Sequence, residues 1–299
     1  MAFVYVKFPK TGLGNLLLIW ARARVFSQIH GLPLVTSSWW GIRWGAWLRR
    51  EQKKRVYLGY FKESNLWKRL KAELWLKAMN VIAEPSLTNQ DLMQKENNAL
   101  FLFRKVVTNS DLFDGLREHR QFLKEEILQL LKPKLKSKLD QYPAPVISVH
   151  IRRGDFKIAN PVTPLSFFIN AIRSIRKAVN EEWPVTVFTD AEPHEILDIL
   201  NEPGVTLATP KPDVLDILLM SKSKAIVLSQ SSTFSYWSAF LSDAIILKPH
   251  GDWQGNLRDD TFNAVYPEIK WKDNDENCDK LLRQSIKQIL NANSSDFKY

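Results

Sequence analysis

The stretch VISVHIRRGDFK (residues 146–157) runs an alternating apolar segment straight into Arg152, Arg153 and Asp155. Burying such a cluster without partners would cost several kcal/mol per ion. The charges therefore either face a ligand at the mouth of a strand or pair with one another. Arginine grips phosphate with two parallel hydrogen bonds and keeps its charge at any working pH. Gly154 permits a tight turn or a close backbone approach. Asp155 can hold an arginine in place or accept a proton. His150, just before the cluster, reads as a packed, hydrogen-bonded residue rather than a catalyst.

A second stretch of the same kind is Ser229-Gln230-Ser231-Ser232-Thr233-Phe234-Ser235-Tyr236-Trp237. It joins an apolar segment to a helical one. Hydroxyls and unspent backbone N–H groups at a helix start make an anion site, and plain helix capping is the alternative. Phe234, Tyr236 and Trp237 read as packing. A third stretch, Gly12-Leu13-Gly14-Asn15, is an incomplete glycine motif: Leu17 stands where the dinucleotide fingerprint needs its third glycine, which argues against a standard NAD site. A fourth, TSSWWGIRWGAWLRR (36–50), interleaves Trp40, Trp44 and Trp47 with Arg43, Arg49 and Arg50. It suits a membrane interface, sugar stacking or burial. Asp273-Asn274-Asp275 reads as a solvated loop rather than a metal site.

The elements that must position these groups alternate clearly in the carboxyl half. The pattern predicts strands at 145–151, 184–190, 205–209, 225–229 and 244–249, with helices at 164–180, 193–202, 213–223 and 231–242 between them. Phe167, Ile169, Ile172 and Ile175 fall at helical spacing in the first helix. This β-α-β rhythm argues for a parallel sheet, and ligands of such sheets sit at the carboxyl ends of the strands. The Arg152 cluster, Asp190 and Ser229–Ser232 all fall there. The amino half shows a strand at 3–8, a turn at 11–15, a helix at 16–31 and a strand at 32–37. The Lys-rich run LKPKLKSKLD (131–140) leads into a junction that separates domain 1–143 from domain 144–299.

The 299 residues carry a formal charge of +10, with 45% hydrophobic and 25% charged residues, ordinary for a globular protein. The charge is uneven: residues 1–150 sum to +13, residues 151–299 to −3, and the first 50 residues contain no acid. A basic half of this kind can face an anionic membrane, nucleic acid or a charged substrate. The single cysteine, Cys278, excludes an internal disulfide and a Cys/His metal framework. No apolar run approaches the roughly 20 residues of a membrane span. The amino terminus does not read as a signal peptide, so the expectation is a cytoplasmic protein, peripheral at the inner face of the membrane.

Taken in order, GLGN (12–15), GYF (59–61), HIRRGDF (150–156), FTD (188–190) and SSTFSYWSAFLS (231–242) resemble motifs of the alpha-1,2-fucosyltransferase family. The resemblance spans about residues 11–243. It implies an α/β, GT-B-like fold of two Rossmann-like halves with parallel sheets and the active cleft between them. It implies inverting, metal-independent transfer of L-fucose from GDP-fucose to an acceptor oligosaccharide, lipid-linked acceptors included, through an alpha-1,2 linkage to galactose. No cofactor beyond the donor substrate and no nucleic-acid partner is expected. Arg152 would hold the diphosphate, and Asp155 would orient the arginines or act as the base. His150, Arg153, Asp190, Ser231, Ser232, Thr233, Phe234, Ser235, Gly12, Gly14 and Asn15 complete the donor-binding set that the resemblance implies. Two departures stand out: Leu16–Leu18 replace polar or aromatic positions, and Ala191 replaces a second acid. Transfer of another GDP-sugar, or a non-catalytic basic binding protein, are the competing readings.

Overall fold

Residues 2–41, 56–88, 98–107, 111–154, 162–251, 255–273 and 275–295 are described by a computed structural model. They divide into two compact units, the first ending at Ser137 and the second beginning at Lys138.

The amino-terminal unit is built on a parallel sheet of order β2-β1-β4-β3 among the described residues, with β1 Phe3–Val6, β2 Leu34–Thr36, β3 Asn80–Ala83 and β4 Ala99–Phe103. β1 and β4 are buried at every position, as central parallel strands must be when both faces are covered. Helix α1 (Leu13–Ile29) covers the face of Val4 and Val6 through Ile19, Ala23 and Phe26. Helix α2 (Leu66–Ala78) covers the face of Phe3 and Tyr5 through Ala72, Trp75 and Leu76. The sequence pattern missed β3 and β4. β3 is a short edge strand, and ALFLF of β4 is apolar throughout, so neither shows the alternation that marks a half-buried strand. α1 also begins earlier than expected. Residues 13–15 are its first turn and not part of a loop, and Gly31, at φ +63°, follows its end.

Two further helices, α3 (Arg120–Leu130) and α4 (Pro133–Leu139), lead to the carboxyl-terminal unit. Its parallel sheet has the order β10-β9-β8-β5-β6-β7. The strands are β5 Ile147–Ile151, β6 Val185–Thr189, β7 Val205–Leu207, β8 Ala225–Val227, β9 Ile245–Pro249 and β10 Glu268–Trp271. Starting from β5, the chain winds outward through β6 and β7, then returns to place β8 on the other side of β5. That is the Rossmann order, and its switch point lies between β5 and β8. The five expected strands are present with trimmed ends. β10 is the addition; its EIKW is only four residues long and gives two apolar positions.

Helix α5 (Leu165–Val179) shows how the layers lock. Phe168, Ala171, Ile172 and Ile175 are fully buried against β5 and β6, at the three- and four-residue spacing of one helical face. Phe168 leads this face; Phe167 and Ile169, expected there, are only partly buried beside it. The helix stops at Asn180 in the left-handed conformation, a common C-terminal device. The segment expected as one helix at 193–202 is a 3-10 turn, Pro193–Ile196, running into α6 (Leu197–Leu200). Helices α7 (Asp213–Met220), α8 (Thr233–Leu241), α9 (Asp260–Asn263) and α10 (Glu276–Ser295) complete the unit. Cys278 lies in α10, half-buried, with its thiol directed at Lys270 O. Asp275 caps the same helix by accepting from the N–H groups of Asn277 and Cys278, while Asp273 accepts from Asn170. Asn274 lies outside the described residues.

Candidate active site at the switch point of the carboxyl-terminal sheet

Register builds this site. β5 pairs with β6 up to Ile151↔Thr189, so the next residues along the two strands are Arg152 and Asp190. The Arg152 guanidinium is salt-bridged to Asp190 Oδ2, and the Arg153 backbone N–H donates to Asp190 Oδ1 at 2.8 Å. On the other side, β5 pairs with β8 up to Val149↔Val227. Ser229, two residues on, continues that ladder with its side chain. Its hydroxyl donates to His150 O and accepts from the Arg152 N–H, both at 2.8 Å. Thr189 Oγ1 donates to Ile151 O at 2.7 Å and accepts from the Ala191 N–H at 2.9 Å. The arginine pair is thus clamped from both neighbouring strands.

Of the two opening alternatives, a ligand-facing cluster and a paired one, the structure shows the pairing, made between neighbouring strands. Arg152 is paired, yet its side chain keeps 23% of its surface exposed and that of Asp190 keeps 20%. Among the described residues the carboxylate paired with Arg152 is Asp190; Asp155 was expected to orient the arginines or act as the base. Asp155 lies outside the described residues. Asp190, expected in the donor-binding set, is placed as a clamp on the arginines.

Arg153 has a different part. It is 6% exposed, and its guanidinium donates back to Arg152 O at 3.3 Å. Burial lowers its pKa, and Asp190 partly opposes the shift. Arg153 is therefore a strut under the cluster. Gly154 has φ +24°, and a Cβ there would stand 2.5 Å from Asp190 Oδ2. Close approach to the clamp is what demands glycine at this position.

The second motif arrives from β8. Ser231 sits at φ +53°, a left-handed conformation uncommon for a residue other than glycine and found at functional turns. It is exposed, and Thr233 and Phe234 are half-buried behind it. Ser232 is buried as the residue preceding α8. Ser235 is fully buried and its hydroxyl donates to Ser232 O at 3.2 Å. It is a packing residue, and so leaves the group that can face a ligand. Tyr236 and Trp237 are buried, as expected of packing. His150 is 5% exposed and its ring stacks on Phe234 with centroids 5.2 Å apart. The stack ties β5 to α8.

Residues that sequence reasoning passed over hold this turn in place. Thr163 Oγ1 accepts from the Gln230 N–H at 3.0 Å, and Gln230 Nε2 donates to Gly251 O at 2.9 Å. Nothing local marks Thr163, which precedes a helix by sequence and braces a strand end 67 residues away.

In the amino-terminal unit, Gly12 precedes α1 in extended backbone, Gly14 is buried inside the helix, and Asn15 donates to Thr11 Oγ1 at 3.0 Å. Trp39 is buried between Phe8 and Phe61, the latter from the GYF segment. Trp40 is half-exposed. Trp44, Trp47, Arg43, Arg49 and Arg50 lie outside the described residues.

Residues 102–264, more than half of the chain, match the family model described as Glycosyl transferase family 11. The chain belongs to this family. The match contains both strand-end motifs, and the kinship read from them in the sequence holds at the level of the family. This family 11 protein is a glycosyltransferase of the fucosyltransferase type. No curated protein sequence matches it. Among solved structures, POFUT1 in complex with GDP-fucose is similar at a TM-score of 0.50 and 12% identity, covering 81% of this chain and 94% of that one. Fucosyltransferase NodZ from Bradyrhizobium matches at 0.49 and 15%, covering 81% and 94%. A variant of Arabidopsis thaliana FUT1 with GDP matches at 0.49 and 12%, covering 86% and 72%. At these identities the likeness is one of fold. The family 11 chain has the expected GT-B-like architecture, with a parallel sheet and flanking helices in each unit.

Proposed function

We propose that this family 11 enzyme transfers L-fucose from GDP-fucose to a hydroxyl of an acceptor glycan, with inversion, without a metal ion, and through an alpha-1,2 linkage to galactose. The carrying observation is the Arg152–Asp190 pair at the switch point, flanked by the exposed turn at Ser231. The family match and GDP-fucose in the POFUT1 structure support the choice of donor.

The chemistry places a demand that these groups can meet. Breaking the bond between fucose C1 and the diphosphate oxygen leaves its electron pair, and a growing negative charge, on GDP. Preorganised cations and N–H donors stabilise such charge at no reorganisation cost. Arg152 supplies the cation, held in aim by Asp190. The first N–H groups of α8 supply dipoles with the same sense. Fucose C1 passes through an oxocarbenium-like state. The acceptor oxygen attacks from the face opposite the leaving group, and its proton goes to a carboxylate. Asp155 is the candidate for that base.

Calorimetric titration of GDP with EDTA present tests the donor site. Micromolar or tighter binding to the wild type, weakened at least tenfold in Arg152→Ala, is expected. A folded wild type that ignores GDP would end the reading. GDP binding with turnover of another GDP-sugar in place of GDP-fucose would correct the donor alone.

A further inference from the structure

Helix α2 has two apolar faces, and the sheet uses only one of them. Ala72, Trp75 and Leu76 pack on Phe3, Tyr5 and Leu102. On the opposite side Leu66 is 56% exposed, Trp67 77%, Leu70 47% and Leu74 68%. Trp67, Leu70 and Leu74 follow one another at three and four residues, so they form one stripe along the helix. A contiguous apolar stripe on a protein surface marks a contact site, and here the outer stripe faces solvent.

The polar residues around the stripe say what would cover it. The helix carries Lys68, Arg69, Lys71 and Lys77 against a single acid, Glu73. Glu73 is engaged by Lys7 at 2.8 Å, and Arg69 by Glu63 at 2.9 Å. Lys68, Lys71 and Lys77 are exposed, with Lys71 and Lys77 bordering the stripe on its two sides. Tryptophan and leucine in the stripe, with lysines at its margins, match the requirements of a helix lying in the plane of a bilayer interface. The charge of the amino half, +13 over residues 1–150, has the same sign.

We infer that the outer face of Leu66–Ala78 docks on an anionic lipid bilayer, with Trp67, Leu70 and Leu74 at the acyl boundary and Lys71 and Lys77 among the headgroup phosphates. The inference is independent of the donor assignment, because it rests on a surface of the amino-terminal unit and on no residue of the β5–β8 site. Leu74 is 68% and Leu70 47% exposed, so substitution there removes little packing, and circular dichroism checks that the helix is retained.

The experiment is co-sedimentation of the full chain with vesicles of phosphatidylcholine, alone and mixed with phosphatidylglycerol. Binding is expected only to the mixed vesicles, and it should weaken as salt shortens the screening length. Each lysine near an anionic surface contributes about a fivefold gain in partitioning, so Lys71→Ala with Lys77→Ala should cost about 25-fold. Leu70→Ser with Leu74→Ser should cost at least about tenfold, as each leucine leaves the acyl boundary. Both variants should keep the wild-type circular dichroism spectrum. Equal binding to neutral vesicles, or unchanged binding in either variant, would overturn the proposal. So would self-association of the wild type that the leucine variant abolishes, since a second copy would then be the occupant.

Discussion

Alanine at position 154 should disarm Arg152 without touching it. The new Cβ would meet Asp190 Oδ2 at 2.5 Å and Asp190 Cγ at 3.2 Å, so the carboxylate must retreat by about 0.9 Å to reach the 3.4 Å of ordinary contact. Its position is set by two bonds, to the Arg152 guanidinium and the Arg153 N–H, and the retreat loosens both. A charge-assisted hydrogen bond of this kind contributes about 1.5–3 kcal/mol. The left-handed φ adds about 1–2 kcal/mol of strain for a residue with a Cβ. Every 1.4 kcal/mol is about tenfold in affinity, so misdirecting Arg152 should weaken GDP binding by about 10–100-fold. If leaving-group stabilisation is lost with it, turnover should fall by about 10²–10³, the usual cost of one oxyanion donor. The assay is GDP calorimetry on Gly154→Ala, on Asp190→Ala and on the double variant. Because the clash is with Asp190, Gly154→Ala should cost far less affinity in the Asp190→Ala background. A Gly154→Ala protein that binds GDP like the wild type would refute the idea that Asp190 aims the arginine. Additive losses would refute the idea that the two residues act through one contact.

Two further outcomes concern stability. Tyr5 donates to Glu73 at 2.6 Å, and burial first, then that hydrogen bond, raises the pKa of its phenol. Its contribution is present below the ordinary tyrosine value of about 10 and is lost as pH rises beyond it. The denaturation midpoint of Tyr5→Phe should therefore fall less than that of the wild type between neutral pH and about pH 11. Burial pushes Glu73 up, but hydrogen bonds from Lys7 and Tyr5 outweigh it, so its pKa is lowered and its contribution is lost as pH falls through the folded value. Glu73 is nearly half exposed, and screening holds its share below about 1 kcal/mol. In the other unit, Glu268 is buried between Lys248 Nζ at 3.2 Å and Arg258 Nε at 3.5 Å, and it accepts from the N–H groups of Leu257 and Arg258. Glu268→Gln leaves two buried cations short of an anion and should cost about 3–5 kcal/mol in urea titration; a loss under about 1 kcal/mol would show that the network relaxes freely.

What the sequence alone determined is local in origin. The alternation in VISVHI marks β5, the helical spacing around Ile172 and Ile175 marks α5, and both motifs fall at strand ends because apolar runs stop there. Each of these signals lies within a window of a dozen residues. β4 and β10 escaped because burial on both faces erases alternation in one, and the other is only four residues long with two apolar positions. The partner of Arg152 was decided elsewhere. The register of β5 on β6 brings Asp190, 38 residues away, alongside Arg152. Ser229 and Thr163 reach the same turn across 77 and 67 residues. Residue type and strand position are written along the chain, but which carboxylate meets which arginine depends on parallel pairing between distant segments, and that register exists only once the sheet has formed.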